Sequence, residues 1–299
     1  MPDQGSRPRR TWAVIVSGAM VWAGAVHADG LSLGGGGKLL LTGGVTQIEG
    51  AAGGGLTPWA VIGGYGTRDQ VGANAFFTHA RTGDYRFQAA GVLVGLYDRV
   101  ELSYARQSFD TRAVGGALGL GDGFKFHVDV YGLKVKVAGD AVLEQDTWLP
   151  QIAVGAQYKK NDQGDIVRAV GAKRDSGTDF YIAATKLFLD QSLLLNGTLR
   201  ATKANQLGIL GFGGDKEDRY EPQFEGSAAL LLRRDLAVGA EYRSKPNNLG
   251  IAKEDDWWDV FVAWAPTKNV SLTAAYVNLG NVVIRDDQKG LYLSLQIGF

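Results

Sequence analysis

The chain contains no cysteine, and only 7 of its 299 residues are proline. Without cysteine there are no disulfides, thiol nucleophiles or thiolate metal sites, and no lipidated cysteine of the kind that anchors a bacterial lipoprotein. Histidine is almost as scarce, with His27, His79 and His127 the only three. An excess of charge is missing too. The 31 basic residues match 31 acidic ones, and no Lys/Arg-rich run breaks the balance, so neither a global field nor a local patch would draw nucleic acid. No nucleic-acid partner is expected. Past residue 28, no apolar run is long enough for a transmembrane helix.

Glycine, in contrast, is abundant: its 43 residues are about twice the usual share. They follow no Gly-X-Y period, which excludes collagen. At the N-terminus, Arg7, Arg9 and Arg10 precede an apolar run from Trp12 to Val26, and Val26-His27-Ala28 fits a small-residue cleavage site. Residues 1–28 therefore read as a cleaved signal peptide, and 29–299 as the exported chain.

The exported part alternates. Leu291, Leu293, Leu295, Ile297 and Phe299 share one strand face, and Tyr292, Ser294, Gln296 and Gly298 share the other. The same period recurs at Val270–Tyr276, at Trp258–Trp264, at Leu236–Tyr242, at Phe224–Leu232 and at Ile152–Tyr158. Two stretches resist. Phe126, Val128 and Val130 alternate, then Leu133, Val135 and Val137 continue in the opposite phase, which predicts a β-bulge near Gly132. Between Phe180 and Phe188, Lys186 falls on the face of Phe180 and Ile182, leaving that register open.

Tight turns near Tyr97-Asp98, Asp190-Gln191, Arg234-Asp235 and Thr267-Lys268 are separated by longer polar stretches. Short turns at one end and long loops at the other are the pattern of an outer-membrane barrel. Aromatic placement gives the same orientation. Tyr104, Tyr158, Tyr242 and Tyr276 end apolar faces that run away from short connections, and Phe224 and Trp258 begin faces returning from long loops. All six are predicted to form the outer aromatic girdle. The fold expected is an all-β, antiparallel, up-and-down transmembrane barrel of about fourteen strands, with twelve as the alternative. Arg86, Glu101, Asp129, Glu225, Glu241, Arg243 and Asp259 are predicted to face its interior.

The terminal strand, Leu291 to Phe299, resembles the C-terminal signal of bacterial outer-membrane proteins, which implies insertion by the barrel-assembly machinery with Phe299 as its mark. More widely, residues 36–45 (Gly36, Gly37, Lys38, three leucines, Thr42, two glycines and Val45) and the stretch 57–112 resemble an uncharacterised proteobacterial family of outer-membrane proteins known only as a domain of unknown function. That resemblance implies a location in the cell outer membrane, with its lipid and lipopolysaccharide as partners. It supplies no catalytic residue.

No cofactor, metal or catalytic site is expected. His79 has no convincing Ser and Asn beside it. His127 and Asp129 share a strand face but lack an Asp-Asp pair opposite, so lumen-wall hydrogen bonding is expected of them. Acids at Asp215–Asp218, Glu254–Asp256 and Asp286–Asp287 stand in long loops without EF-hand spacing and read as solvated. The glycines at 34–37 lack the Lys-Ser/Thr ending of a P-loop and read as a flexible lead-in to the first strand. The function expected is a porin-like channel for passive passage of small solutes and not an enzyme. The alternatives are a plugged structural or adhesive barrel, or an outer-membrane hydrolase.

Overall fold

The computed structural model describes residues 32–33, 37–43 and 45–299. The expected signal peptide and cleavage site lie outside the described residues. Twelve long strands form the barrel: β1 (Gln70–Thr82), β2 (Arg86–Leu96), β3 (Val100–Asp110), β4 (Lys125–Ala138), β5 (Gln151–Asn161), β6 (Ser176–Phe188), β7 (Leu193–Thr202), β8 (Glu221–Arg233), β9 (Leu236–Arg243), β10 (Trp257–Trp264), β11 (Val270–Asn278) and β12 (Lys289–Gly298). Each pairs antiparallel with the next, and β12 closes on β1 from Gly290↔Thr82 to Gly298↔Asn74. Ser32–Leu33 adds a two-residue parallel pairing to Gln70 and Val71.

The count is therefore twelve, and fourteen is corrected. The excess has a physical source. Residues 37–69, where a lead-in and a first strand were expected, form no barrel strand. Instead, residues 45–66 are buried inside the barrel.

One end carries the short turns 97–99, 189–192, 234–235 and 265–269, and the other carries the loops 111–124, 162–175, 203–220, 244–256 and 279–288. Two connections break the pattern: residues 83–85 are short at the long-loop end, and residues 139–150 are long at the short-turn end. The second settles the open register in β6. Asp179, Tyr181, Ala183, Thr185 and Leu187 point inward, and Lys186 has outward parity. Its ammonium group is covered by the 139–150 turn, donating to the carbonyls of Glu144 and Leu149.

No bulge occurs at Gly132. The β3–β4 ladder runs unbroken from Val100↔Val135 to Asp110↔Lys125, and the irregularity in β4 falls between Lys136 and Ala138, opposite β5. Phase is kept while chemistry changes. Phe126, Val128 and Val130 are inward apolar residues near the long loops, and Lys134 and Lys136 continue the same inward face lower down. Leu133, Val135 and Val137 are the outward set.

Exposed large apolar side chains, among them Leu102, Val154, Leu199, Val260, Leu272 and Leu293, cover the outer face of the strands. Such an outward apolar band with a polar interior inverts the burial pattern of a soluble barrel. Tyr158, Phe224, Tyr242, Trp258 and Tyr276 point outward near the long-loop end of their strands, and Tyr104 points outward from the middle of β3. Neighbouring rings touch along this line, with centroids of Tyr104 and Tyr131 5.2 Å apart, Tyr131 and Tyr158 6.4 Å, Phe224 and Tyr242 6.4 Å, and Trp258 and Tyr276 6.3 Å. Among the described residues, no helix is long and apolar enough to cross a membrane.

Candidate functional site: a plug within the barrel

Residues 45–66 include two successive turns, bridged at Thr46↔Ala52 and Gly53↔Pro58. A segment without regular secondary structure has backbone donors and acceptors that need partners once buried, and the barrel wall supplies them from side chains. The Glu101 carboxylate accepts from the N–H groups of Ala52 (3.0 Å) and Gly63 (2.8 Å), and that of Glu241 from Leu56 N–H (2.8 Å) and the Thr57 hydroxyl (2.7 Å). Lys134 donates to the carbonyls of Ala52, Trp59 and Val61, and Gln151 to that of Ala60 at 2.7 Å. The polar inward face is thus the complement of an irregular chain, which is why its polarity alone did not announce a water-filled pore.

The glycines serve close approach. A Cβ on Gly54 would fall 1.9 Å from Glu241 Oε1, and Gly64, at φ +79°, lies with its Cβ direction 2.4 Å from the Gly72 backbone, where the chain leaves the plug and joins β1. Tyr65 N–H and Ala73 N–H both donate to the Phe299 carbonyl, at 2.8 and 3.0 Å, so the plug base is tied to the β12–β1 seam.

Deeper in the lumen lies a fully buried charge cluster. Glu49 of the plug pairs with Lys159, with Arg200 at 3.5 Å and with Arg243 at 2.7 Å. Asp179 pairs with Lys159 (2.6 Å) and Arg200 (3.3 Å), and Glu225 pairs with Arg200 and with Arg243 (3.3 Å). Three carboxylates thus face three cations on β5–β9 and the plug.

A second insert closes the barrel from the long-loop end. Residues 204–214 are buried, and Asn161 holds the turn by donating to the carbonyls of Gly208 (3.0 Å) and Ile209 (2.8 Å). Between the two inserts remains an apolar cavity of about 50 Å³, bounded in part by Ile48, Leu56, Ile209, Leu210, Trp257 and Tyr292.

Of the residues predicted to line the interior, Glu101, Glu225, Glu241, Arg243 and Asp259 are buried inside the barrel. Arg86 and Asp129 are not, and both are corrected. Arg86 begins β2 on the parity of the exposed Val92 and Val94. Asp129 faces outward, bonded to Tyr104 Oη at 2.8 Å and paired with Arg106 at 2.8 Å. Its misplacement follows from taking Phe126, Val128 and Val130 as lipid-facing. Sequence reasoning missed Glu49, Lys134, Lys159, Asp179 and Arg200. Glu49 lies in a segment with no periodic face. The other four alternate with apolar neighbours and were open to the same reading that found Glu241 and Arg243.

His127 also faces outward and pairs through Nδ1 with Asp162 at 2.9 Å. Ser108 stands opposite His127 across β3–β4, but no hydrogen bond joins them. His79 faces outward, with its ring nitrogen 3.5 Å from Gln88 Nε2. The loop acids are engaged locally: Asp218 with Arg174 and Lys203, Glu254 with Lys245, and Asp287 with Lys289. Among the described residues, no three potential metal ligands converge.

The barrel is similar in fold to the KdgM porin, over 76% of this chain and 99% of that one, at 11% identity and a TM-score of 0.50. The NanC porin aligns over 76% of this chain and 98% of its own, at 10% identity and a TM-score of 0.48. An outer membrane channel from Pseudomonas putida F1 aligns over 82% and 97%, at 11% and 0.43. A search of curated proteins finds no match. The family model described as "Protein of unknown function (DUF3034)" matches residues 42–296, and the chain belongs to that family.

Proposed function

We propose that this protein is an outer-membrane channel for passive passage of small solutes, held closed by its own residues 45–66. The observation that carries the reading is the chemistry of the plug–wall contact. Burying ion pairs in a core gives no more stability than apolar packing of the same volume, because desolvation offsets the attraction. A barrel needing only a filled interior has no use for three carboxylates and three cations at its centre. A passage does. Once the plug withdraws, Lys159, Asp179, Arg200, Glu225 and Arg243 are left lining a hydrophilic wall. The outward apolar band, the aromatic girdle and the fold shared with a porin support placement in the outer membrane, among its lipid and lipopolysaccharide.

The test is a reversible lock. Thr57 Oγ1 and Ser227 Oγ lie 2.5 Å apart, and the chain has no cysteine, so Thr57→Cys with Ser227→Cys creates a single disulfide between plug and wall. In planar bilayers the reduced variant is expected to open, the oxidised one to stay silent, and reductant to restore openings. Steady current through the oxidised form would move the path away from the plug. Silence of both wild type and reduced variant would favour a plugged structural barrel.

A further inference from the structure

At the short-turn end, a cleft of about 310 Å³ opens between the plug and the barrel wall, a size within the range of small-molecule sites. Residues 37–42 and 61–68 form one side, and the turns 97–99 and 139–150 with Leu189 form the other. Its floor is apolar: Leu39, Val61, Ala141, Val142, Leu143 and Leu189 line it. Several of these remain exposed, Leu143 by 77%, and such a rim of uncovered apolar surface around a cavity is a mark of ligand binding.

The polar groups of the cleft are nearly all spoken for. Asp98 is held by Lys38 at 2.7 Å and Lys136 at 2.5 Å. Asp140 accepts from the N–H groups of Val142 and Leu143 and lies 3.8 Å from Lys136. Gln145 bonds the carbonyls of Val142 and Leu187 and the N–H of Leu189, and Gln151 bonds Ala60 and Ala141. The neighbouring Asp69 turns to the Thr67 hydroxyl at 2.9 Å and does not line the cleft. Two rim carboxylates are therefore matched by two lysines. What remains is Arg68, exposed and with no direct ion pair or hydrogen bond among the described residues, its charge reaching the Asp140 carboxylate only from a distance.

We propose that this cleft is a binding site for a small amphiphilic monoanion, a carboxylate with a short hydrocarbon tail, whose head meets Arg68 and whose tail lies on the apolar floor. One guanidinium with no direct hydrogen-bond partner suits a single negative charge, and it matches a carboxylate in a planar, two-point fashion. The apolar walls reward a tail of a few methylenes, each of which leaves water on binding. Because the segments flanking the plug supply one side and the turns of the wall the other, the bound anion bridges them. The site does not depend on plug movement and can be tested on a silent barrel.

Hexanoate is the probe, titrated calorimetrically into the purified detergent-solubilised protein against a detergent-only control. Saturable one-site binding is expected, weakened tenfold or more in Arg68→Gln and for hexan-1-ol, and lost in Leu39→Trp, which fills the cleft. Lys216→Gln, an exposed cation at the opposite end, is expected to bind as wild type does. Absence of saturable binding to the wild type overturns the proposal. So does equal affinity in Arg68→Gln, or equal affinity for hexan-1-ol.

Discussion

Lys134 on β4 meets the carboxylate of Glu101 on β3 at 3.1 Å, and the same ammonium group donates to three plug carbonyls while Glu101 accepts two plug N–H groups. One cross-strand pair thus grips both polar edges of residues 52–63. Lys134→Met leaves Glu101 buried and uncompensated, a loss of about 3–5 kcal/mol in comparable pairs. The expected outcome is a plug that proteases reach and a larger open fraction in bilayer recordings. Adding Glu101→Gln removes the unpaired charge, so the double variant should be milder than Lys134→Met alone.

The central cluster predicts ion preference. Glu49, Asp179 and Glu225 balance Lys159, Arg200 and Arg243, three against three. With the plug and its Glu49 withdrawn, Arg243→Gln removes a cation from the remaining wall and is expected to shift the reversal potential in a salt gradient toward cations, while Glu225→Gln shifts it toward anions. Equal potentials for the two variants would remove the cluster from the path.

The period-two pattern made the barrel legible from Ile297 back to Ile152, because one apolar face and one polar face leave little choice of register. The pattern misled at Phe126–Val130, where inward residues are apolar because they meet the plug and the inserted loop rather than water. The plug itself was not legible. Residues 45–66 have no periodic face, and Gly54 is explained by its contact with Glu241, distant in sequence, which no local signal contains. Glu241 and Arg243 were found by strand parity alone; their partners Leu56, Thr57 and Glu49 were not.

The turn 139–150 carries a pH dependence. Burial alone would raise the Asp140 carboxyl, but hydrogen bonds from the Leu143 and Val142 N–H groups and the charges of Lys136 and Arg68 outweigh it and hold it below its ordinary value of 3.8. A depressed carboxyl stabilises the fold above its unfolded value and loses that contribution as pH falls through the folded one. Protease protection of this turn should therefore be full at neutral pH and decline below about pH 4. In Asp140→Asn it should be weaker at neutral pH and lack that acid-side decline.

Phe299 separates assembly from stability. Its side chain is 59% exposed, whereas its carbonyl and N–H make the bonds to Tyr65 and Ala73 that any residue would keep. Phe299→Ala is expected to lower the yield of folded barrel in cells while leaving the denaturant midpoint of refolded protein close to wild type. Normal yield in cells would deprive the terminal aromatic of its proposed part in recognition by the barrel-assembly machinery.

The Phe299 carbonyl couples two parts of the molecule. A single oxygen receives the N–H of Tyr65, at the foot of the plug, and that of Ala73, in the first strand. Sheet closure and plug seating therefore converge on one atom, and neither is complete without the other. A barrel that zipped shut around a misplaced plug would lack a bond at its seam, where fraying would start. Plug position and seam stability are thus linked at that one acceptor.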